Sequence, residues 1–195
     1  QIDNAKLKNG KMENEDWRRF DEALSQLGNT NIYFHDAGGV TASEIKAKCR
    51  RLSTMGEGLG LVIIDYLQLI DSSSRYSGSR QQEVSEISRN LKTMALELGV
   101  PVIALAQLSR AVEAREDKRP IMSDLRESGS IEQDADIVSF LYRDDYYNKE
   151  ARRDDNASIT ELIIGKNRSG PTKTIELLFR KDTSTFVNFQ RESGE

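Results

Sequence analysis

The sequence has 195 residues, of which 37% are hydrophobic and 31% are charged, so it fits one domain that buries a core of its own. Its longest apolar run, 100–106, is far short of the roughly 20 residues that cross a bilayer, so nothing in it predicts a membrane span. The formal net charge of −4 argues against a broad basic surface for nucleic acid, and any DNA contact must come from a few local loops.

The single cysteine, Cys49, cannot form an internal disulfide. A reducing cytosol is the natural compartment for such a chain, so we expect a cytoplasmic protein. We expect the Cys49 side chain to be a small buried group on a helix.

The first third of the chain predicts two helices. Residues 1–13 predict a loop or a leftover segment, and Asn14 suits the N-cap of the first helix. Four apolar residues behind it form one helical stripe: Trp17, Phe20, Leu24 and Leu27. Residues 31–34 are β-prone. Thr41 and Glu44 form a capping box that opens the second helix. Its apolar face carries Ile45, Cys49 and Leu52.

Apolar runs predict strands in the rest of the chain. Residues 61–65 and 102–106 are apolar almost throughout, which indicates parallel strands covered on both faces. A helix is predicted over 81–98, between these two strands. Further strands are predicted at 136–142 and 161–166, and a closing antiparallel hairpin at 174–179 and 185–189.

Strands and helices that alternate in this order predict an α/β fold, a mostly parallel sheet with helices on both faces. We assign the whole chain, 1–195, to one such domain. Three polar segments, 71–80, 109–130 and 143–158, are long for simple connections and indicate functional or disordered loops.

Two of the candidate site residues follow the buried strands. An open α/β sheet binds ligands at the carboxyl ends of its strands, where Asp65 and Gln107 lie. A carboxylate at that place is what a nucleotide hydrolase uses to hold Mg²⁺, often through water, although a strand also ends in Asp for turn chemistry. The Gln107 amide can contact a γ-phosphate, or it can simply complete strand-end hydrogen bonding.

A basic turn follows another predicted strand. Lys166 and Arg168 are separated by one residue, a spacing that lets both cations stabilise charge on a transferring phosphoryl group. Solvated surface charge is the alternative.

The segment 125–133 offers a further phosphate site. Ser130 and Gln133 are spaced as a capping box, which predicts a helix start beside Arg126 and Gly129. Free amides at a helix start favour phosphate, and a capped surface helix is the equal alternative.

The sequence contains no phosphate-binding loop of the form G-x-x-x-x-G-K-[ST]. Two Gly-Lys pairs occur, at 10–11 and 165–166, and neither has the required upstream glycine or the following hydroxyl residue. We therefore expect that the chain as it stands does not turn over ATP.

Four motifs together resemble the DnaB family of hexameric replicative helicases, over about 17–189. They are IIDYLQLI at 63–70, EISRNLK at 86–92, DKRPIMSDLRESGSIEQDADI at 117–137 and IIGKNRSGP at 163–171. The resemblance implies a RecA-like ATPase that forms a six-membered ring, moves 5′ to 3′ along single-stranded DNA and unwinds duplex at the replication fork. It also implies ATP and Mg²⁺ as cofactors, and primase and a helicase loader as partners.

The resemblance further implies roles for single residues. Asp65 matches the Walker B carboxylate for Mg²⁺, and Gln107 matches the glutamine that couples the γ-phosphate to the DNA loops. Lys166 and Arg168 match the basic pair that reaches the neighbouring subunit's nucleotide, with Asn167 in place of the family's usual glutamine. The central loop that contacts the DNA backbone is matched by Arg126, Glu127 and Gly129.

The family's Walker A lysine, its adjacent hydroxyl residue and its catalytic glutamate have no counterpart here, so we expect a motor domain whose amino-terminal part is missing. Two alternatives stay open at this point. One is another RecA-like ATPase of recombination or repair, and the other is a non-catalytic module that binds the loader or primase.

Overall fold

The computed structural model of the chain describes residues 1–56, 58–72, 80–125, 129–148 and 156–189. The helices in this part of the chain are α1 Asn4–Asn9, α2 Asn14–Gly28, α3 Ala42–Ser53, α4 Arg80–Leu98, α5 Ala111–Ala114, α6 Gly129–Asp134 and α7 Asp144–Tyr147. The strands are β1 Val62–Ile64, β2 Val102–Ala104, β3 Ile137–Tyr142, β4 Ala157–Asn167, β5 Lys173–Arg180 and β6 Thr185–Asn188. Within the described residues, no helix combines the length and the apolar character of a membrane span.

The chain divides into two compact units. The larger unit contains Asp36–Phe140 and Ile164–Lys173, and the smaller unit contains Gln1–His35, Leu141–Ile163 and Thr174–Glu195.

The larger unit packs α3 and α4 against β1. The apolar stripe of α4 lies on one helical face and is buried, with Met94 fully inaccessible to solvent. The core cluster consists of Ala42, Cys49, Val62, Leu67, Ile70, Ile87, Leu91 and Met94. Each large side chain buried there contributes about 1.5–3 kcal/mol of transfer free energy. The Cys49 thiol belongs to this core, as predicted, and burial raises its pKa.

Strands β1 and β2 are parallel neighbours, with Ile63 opposite Ile103. Val62 faces the core, whereas Ile63 and Ile103 on the other face are 62% and 49% exposed. We expected strands covered on both faces. Within the described residues only one face of this pair is covered.

The remaining strands form a four-stranded sheet in the order β3-β4-β5-β6. Strands β5 and β6 are antiparallel, with Phe179 opposite Phe186, which confirms the predicted hairpin. The backbone N–H of Arg168, just after β4, donates to the carbonyl of Asp136, just before β3, at 2.9 Å. That bond joins the end of one strand to the start of the other, as antiparallel pairing requires.

Asp145 is a buried carboxylate of the smaller unit with several hydrogen-bond donors around it. Asp145 is 5% exposed and accepts hydrogen bonds from Lys181 at 2.6 Å, from Arg143 at 3.2 Å and from the Ser158 hydroxyl. Burial alone raises the pKa of Asp145, but these three donors outweigh burial and lower the pKa to about 2. The carboxylate therefore stays ionised and joins two of the three sequence segments of this unit, Leu141–Ile163 and Thr174–Glu195.

Local structure in the first 35 residues differs from prediction. Part of 1–13, predicted as a loop, is helix α1, because the Asp3 side chain accepts the Ala5 N–H at its start. Asn14 is not the cap of α2; Glu13 is. Residues 31–34 form no strand, since no described strand pairs with them, and Phe34 is 91% exposed. The capping box of α3 is present as predicted.

Candidate functional site

The carboxyl ends of β1 and β2 bring Asp65 and Gln107 to one edge of the sheet. Both strands run in the same direction, so their carboxyl ends lie side by side. Asp65 directly follows β1, Gln107 lies three residues beyond β2, and both side chains are exposed. The two chain segments stay paired past the strands, because Leu67 N–H donates to the Leu105 carbonyl at 2.9 Å.

Gln68 also lies at this edge of the sheet, although it was not among the candidate site residues predicted from the sequence. Its side-chain Nε2 donates to the main-chain carbonyl of Gln107 at 3.3 Å. Its Oε1 accepts from the main-chain N–H of Gln107, also at 3.3 Å. One amide therefore satisfies both backbone groups of the candidate γ-phosphate contact. The only sequence signal for Gln68 is its place inside the motif at 63–70.

The residues present fit a magnesium ion that is held mainly by water and phosphate. Mg²⁺ keeps several waters and uses one or two carboxylates together with substrate phosphates, rather than a cage of protein ligands. Asp65 is an exposed carboxylate without an ion pair among the described residues. The same part of the chain contains no cluster of three His, Cys, Asp or Glu side chains that could hold a metal by itself.

Lys166 lies near the end of β4, and its ammonium group caps the carboxyl end of α6. Nζ donates to the carbonyls of Glu132, Ala135 and Gln133, at 2.8 Å for Ala135 and 3.5 Å for Gln133. A cation at this place satisfies carbonyls that a helix end leaves without partners, and it opposes the negative end of the helix dipole. Two of these contacts are short and the contact to Gln133 is long, so the ammonium group is held at the helix end while one of its three N–H donors is only weakly used.

Arg168 is held at the same helix end. Its Nη1 donates to Asp136 Oδ1 at 3.0 Å, and its Nη2 donates to the Gln133 carbonyl at 3.2 Å. Asp136 also pairs with Lys92 on α4. The hydrogen bond from Lys92, with the charges of Lys92, Arg168 and Lys166, lowers the pKa of Asp136. The Asp136 carboxylate thus lies near three cations, two of which pair with it directly.

Gly165 leaves room for two side chains directly before Lys166. A Cβ at Gly165 would lie 2.9 Å from the Phe140 ring and 3.2 Å from the Met122 sulfur. Glycine therefore lets the side chains of Phe140 and Met122 pack against the β4 backbone at this position. The following turn is closed by Asn167, whose side chain donates to the Pro171 carbonyl at 3.3 Å.

The predicted DNA loop is only partly described. Gly129 is the first residue of α6, whereas Arg126 and Glu127 lie outside the described residues. The predicted capping role of Ser130 is wrong: it lies inside the helix, and its Oγ has no hydrogen-bond partner among the described residues. The Ser88 hydroxyl on α4 donates to Asp134 at 2.8 Å, which fixes the last turn of α6 to the core.

Comparison with protein families decides the identity. The family described as DnaB-like helicase C terminal domain matches residues 1–188. The chain belongs to this family. The resemblance predicted from four motifs is thereby confirmed.

Named relatives of this DnaB-like domain are replicative helicases. The chain is 56% identical over 194 residues to the replicative DNA helicase DnaB of Geobacillus stearothermophilus, covering 100% of this chain and 42% of that protein. It is 57% identical over 190 residues to the replicative DNA helicase DnaC of Bacillus subtilis (strain 168), covering 97% of this chain and 41% of that one. The chain thus spans about two fifths of the length of these curated relatives.

Solved structures agree. A structure described as an ATPase domain matches with a TM-score of 0.89 and 46% identity, over 97% of this chain and 66% of that one. A DnaB-like replicative helicase, described with its interactions with primase, matches with the same TM-score and identity, over 97% of this chain and 45% of that one. The predicted α/β class of helicase ATPase domains is confirmed. The recombination or repair alternative is not favoured.

Proposed function

We propose that the chain is part of the motor of a replicative DNA helicase, which uses ATP hydrolysis to move along single-stranded DNA and to unwind duplex at the replication fork. The observation that carries this proposal is the shared sheet edge of Asp65 and Gln107 in a DnaB-like helicase domain. We take 1–195 as one part of a RecA-like motor domain.

At that edge each residue has a separate task. Asp65 would hold Mg²⁺ through water, and the metal would supply charge neutralisation for the phosphates of ATP. The Gln107 amide contacts the γ-phosphate and senses its loss. The 195 residues contain no phosphate-binding loop, so a polypeptide of these residues alone does not hydrolyse ATP.

Lys166 and Arg168 act on the nucleotide of a neighbouring subunit in a ring of identical chains. Support comes from their position together at the end of β4, with Arg168 exposed. A head-to-tail ring presents a different surface of each subunit to its neighbour, so one site can be built from two chains. Positive groups aimed at the γ-phosphate stabilise the charge that develops during phosphoryl transfer.

DNA is held by the loop of Arg126, Glu127 and Gly129. Arginine and backbone amides are suited to phosphate oxygens, which carry no sequence information. A ring sums six such loops around one strand, so each subunit needs few contacts, which agrees with the net charge of −4 on these 195 residues.

One solved relative is described with its interactions with primase, and we propose primase and a helicase loader as partners of this protein too. The alternative of a binding module without catalysis is not favoured. In the full-length protein, Asp65→Asn distinguishes the two functions.

The Asp65→Asn variant should lose ATP turnover and unwinding by on the order of 100-fold or more, because the metal contributes several kcal/mol to the transition state. Asp36→Asn, an exposed carboxylate elsewhere in the larger unit, is the control and should behave as the parent. Normal turnover by Asp65→Asn would overturn the proposed motor function.

A further inference from the structure

The side chain of Gln68 holds the main chain of Gln107 where the strand ladder has ended. The last backbone hydrogen bond between the two segments joins Leu67 and Leu105. Beyond that bond, Gln107 is tied to the first segment by the amide of Gln68, with one bond to its N–H and one to its carbonyl, each at 3.3 Å. We propose that Gln68 is a positioning residue, which fixes Gln107 relative to Asp65. The proposal rests on the function proposed above for Gln107.

The anchor from which Gln68 reaches is itself rigid. Gln68 is the middle residue of a short helical turn, Leu67–Leu69, and is followed closely by Ile70; Leu67 and Ile70 are both buried in the core. Its own carbonyl accepts a hydrogen bond from Arg80, the first residue of α4, at 3.0 Å. Because the side chains of Leu67 and Ile70, one before and one after it in the chain, are buried, the Gln68 backbone is held while its side chain extends to the sheet edge.

The chemistry requires an amide. Pairing with a main-chain N–H and a carbonyl at once needs one acceptor and one donor on the same group, which glutamine has. A glutamate offers acceptors only, so its second oxygen would face the Gln107 carbonyl and repel it. An alanine removes both bonds, and an asparagine is one methylene too short for the same reach.

The closeness of Gln68 to Asp65 in the chain explains how its contact with Gln107 can affect the site. Gln68 lies three residues after Asp65, so the carboxylate proposed to hold the metal and the amide that positions Gln107 belong to one short segment. A single segment then sets the distance between the group that binds the metal and the group that senses the γ-phosphate. Both hydrogen bonds are slightly longer than the usual range of about 2.7–3.2 Å, so they contribute little to the stability of the fold.

The test uses the full-length helicase with Gln68→Glu and Gln68→Ala. Gln81→Ala is the matched control, because Gln81 is an exposed glutamine at the start of α4 whose side chain makes no hydrogen bond among the described residues. Four quantities are measured: kcat and KM for ATP hydrolysis with and without single-stranded DNA, the Kd of ATP, and the thermal unfolding midpoint.

Both Gln68 variants should lower the DNA-stimulated kcat roughly 10- to 100-fold, the loss expected when a catalytic group is misplaced by about 1 Å. KM, Kd and the unfolding midpoint should stay close to those of the parent. If Gln68 had only a structural role, its substitution would lower the unfolding midpoint as well. Gln81→Ala should match the parent throughout. A kcat of Gln68→Glu equal to that of the parent would overturn the proposal that Gln68 positions Gln107.

A double variant tests whether Gln68 acts through Gln107. If it does, Gln68→Glu combined with Gln107→Ala should have the same kcat as Gln107→Ala alone, since residues that act as one unit are not additive. Losses that multiply would overturn the proposal. The Asp65→Asn variant distinguishes failure of this proposal from failure of the proposed function. Normal ATP turnover by Asp65→Asn would refute the motor function. An inactive Asp65→Asn together with a normal kcat in Gln68→Glu would refute only the positioning role of Gln68.

Discussion

Arg168 donates a hydrogen bond to Asp136 of its own chain at 3.0 Å, and the two side chains are each 54% exposed. An ion pair this exposed contributes at most about 1 kcal/mol, so it exchanges readily for a stronger anion such as a nucleotide phosphate. The guanidinium uses two of its five N–H donors in the described residues, with Asp136 and Gln133. Arg168 is therefore held in place without being saturated.

This geometry supports a shared site, which mixed rings of the full-length protein can test. Arg168→Ala and Asp65→Asn rings should each be nearly inactive, because every site lacks one necessary group. In a mixed ring, an Arg168→Ala subunit keeps its own Asp65 and can receive Arg168 from an Asp65→Asn neighbour. With equal, random mixing about a quarter of the sites are rebuilt, so ATP hydrolysis should recover toward a quarter of the parent rate.

The control pairs Asp65→Asn with a double variant that carries both substitutions. That mixture contains no intact Asp65, so no site can be rebuilt and hydrolysis should stay at background. Native mass spectrometry confirms that subunits have exchanged. If the first mixture also stays at background with exchange confirmed, Arg168 does not serve a neighbour.

A second prediction concerns Lys166 as a cap of α6. Lys166→Gln keeps most of the length of the side chain but removes the charge and one of the three N–H donors that serve the carbonyls of Glu132, Gln133 and Ala135. The helix end should lose about 1–2 kcal/mol, from the dipole interaction and the hydrogen bonds together. Hydrogen exchange of the α6 amides, followed by mass spectrometry in the full-length protein, should then be about tenfold faster.

Lys173→Gln is the matched control for this experiment. Lys173 is an exposed lysine at the start of β5 whose side chain makes no hydrogen bond or ion pair among the described residues. Its substitution should leave exchange in α6 unchanged. Equal exchange in Lys166→Gln and the parent would show that the cap does not stabilise α6.

Sequence patterns predicted the parts of the fold that depend on neighbours along the chain. The capping box at Thr41 is set by residues three apart, and the buried stripe of α4 follows from helical periodicity. The strand-end positions of Asp65 and Gln107 follow from two apolar runs. These features depend on local chemistry, so one sequence suffices to find them.

Contacts between distant residues were not predictable in this way. Lys166 caps a helix that ends 32 residues earlier, and only the pairing of β4 with β3 brings the two together. Gln68 reaches Gln107 across 39 residues for the same reason, through the pairing of β1 with β2. Residues 31–34 show the reverse case, since β-prone residues form a strand only where another strand is available to pair with them.

A third prediction concerns the DNA loop. In the full-length protein, Arg126→Ala should weaken binding to all single-stranded sequences about equally, because a phosphate contact carries no base information. The slope of log affinity against log salt should become shallower by about 0.7 for each phosphate that the loop no longer neutralises. Arg89→Ala removes the same charge from the exposed side of α4 and is the control. A changed base preference with an unchanged salt slope would instead place Arg126 on base edges.

The last prediction concerns the buried carboxylate of Asp145 in the smaller unit. The pKa of Asp145 is lowered to about 2 in the folded chain, against about 3.9 in an unfolded one. The unfolded chain therefore takes up the proton first as pH falls. The stabilisation, roughly 2 kcal/mol, is complete above about pH 5 and is lost as pH falls toward 2.

Trp17, the single tryptophan, lies in the same unit as Asp145, so its fluorescence can report urea unfolding of the 195-residue polypeptide. At pH 6, Asp145→Asn should unfold with a free energy about 2 kcal/mol below the parent, because the charges of Lys181 and Arg143 lose their partner. The difference should shrink steadily between pH 5 and pH 2, where the parent's own carboxylate becomes protonated. Asp21→Asn, on the exposed side of α2, should follow the parent at every pH. A gap between Asp145→Asn and the parent that stays constant from pH 6 to pH 2 would mean that the Asp145 carboxylate is not the group whose protonation destabilises this unit.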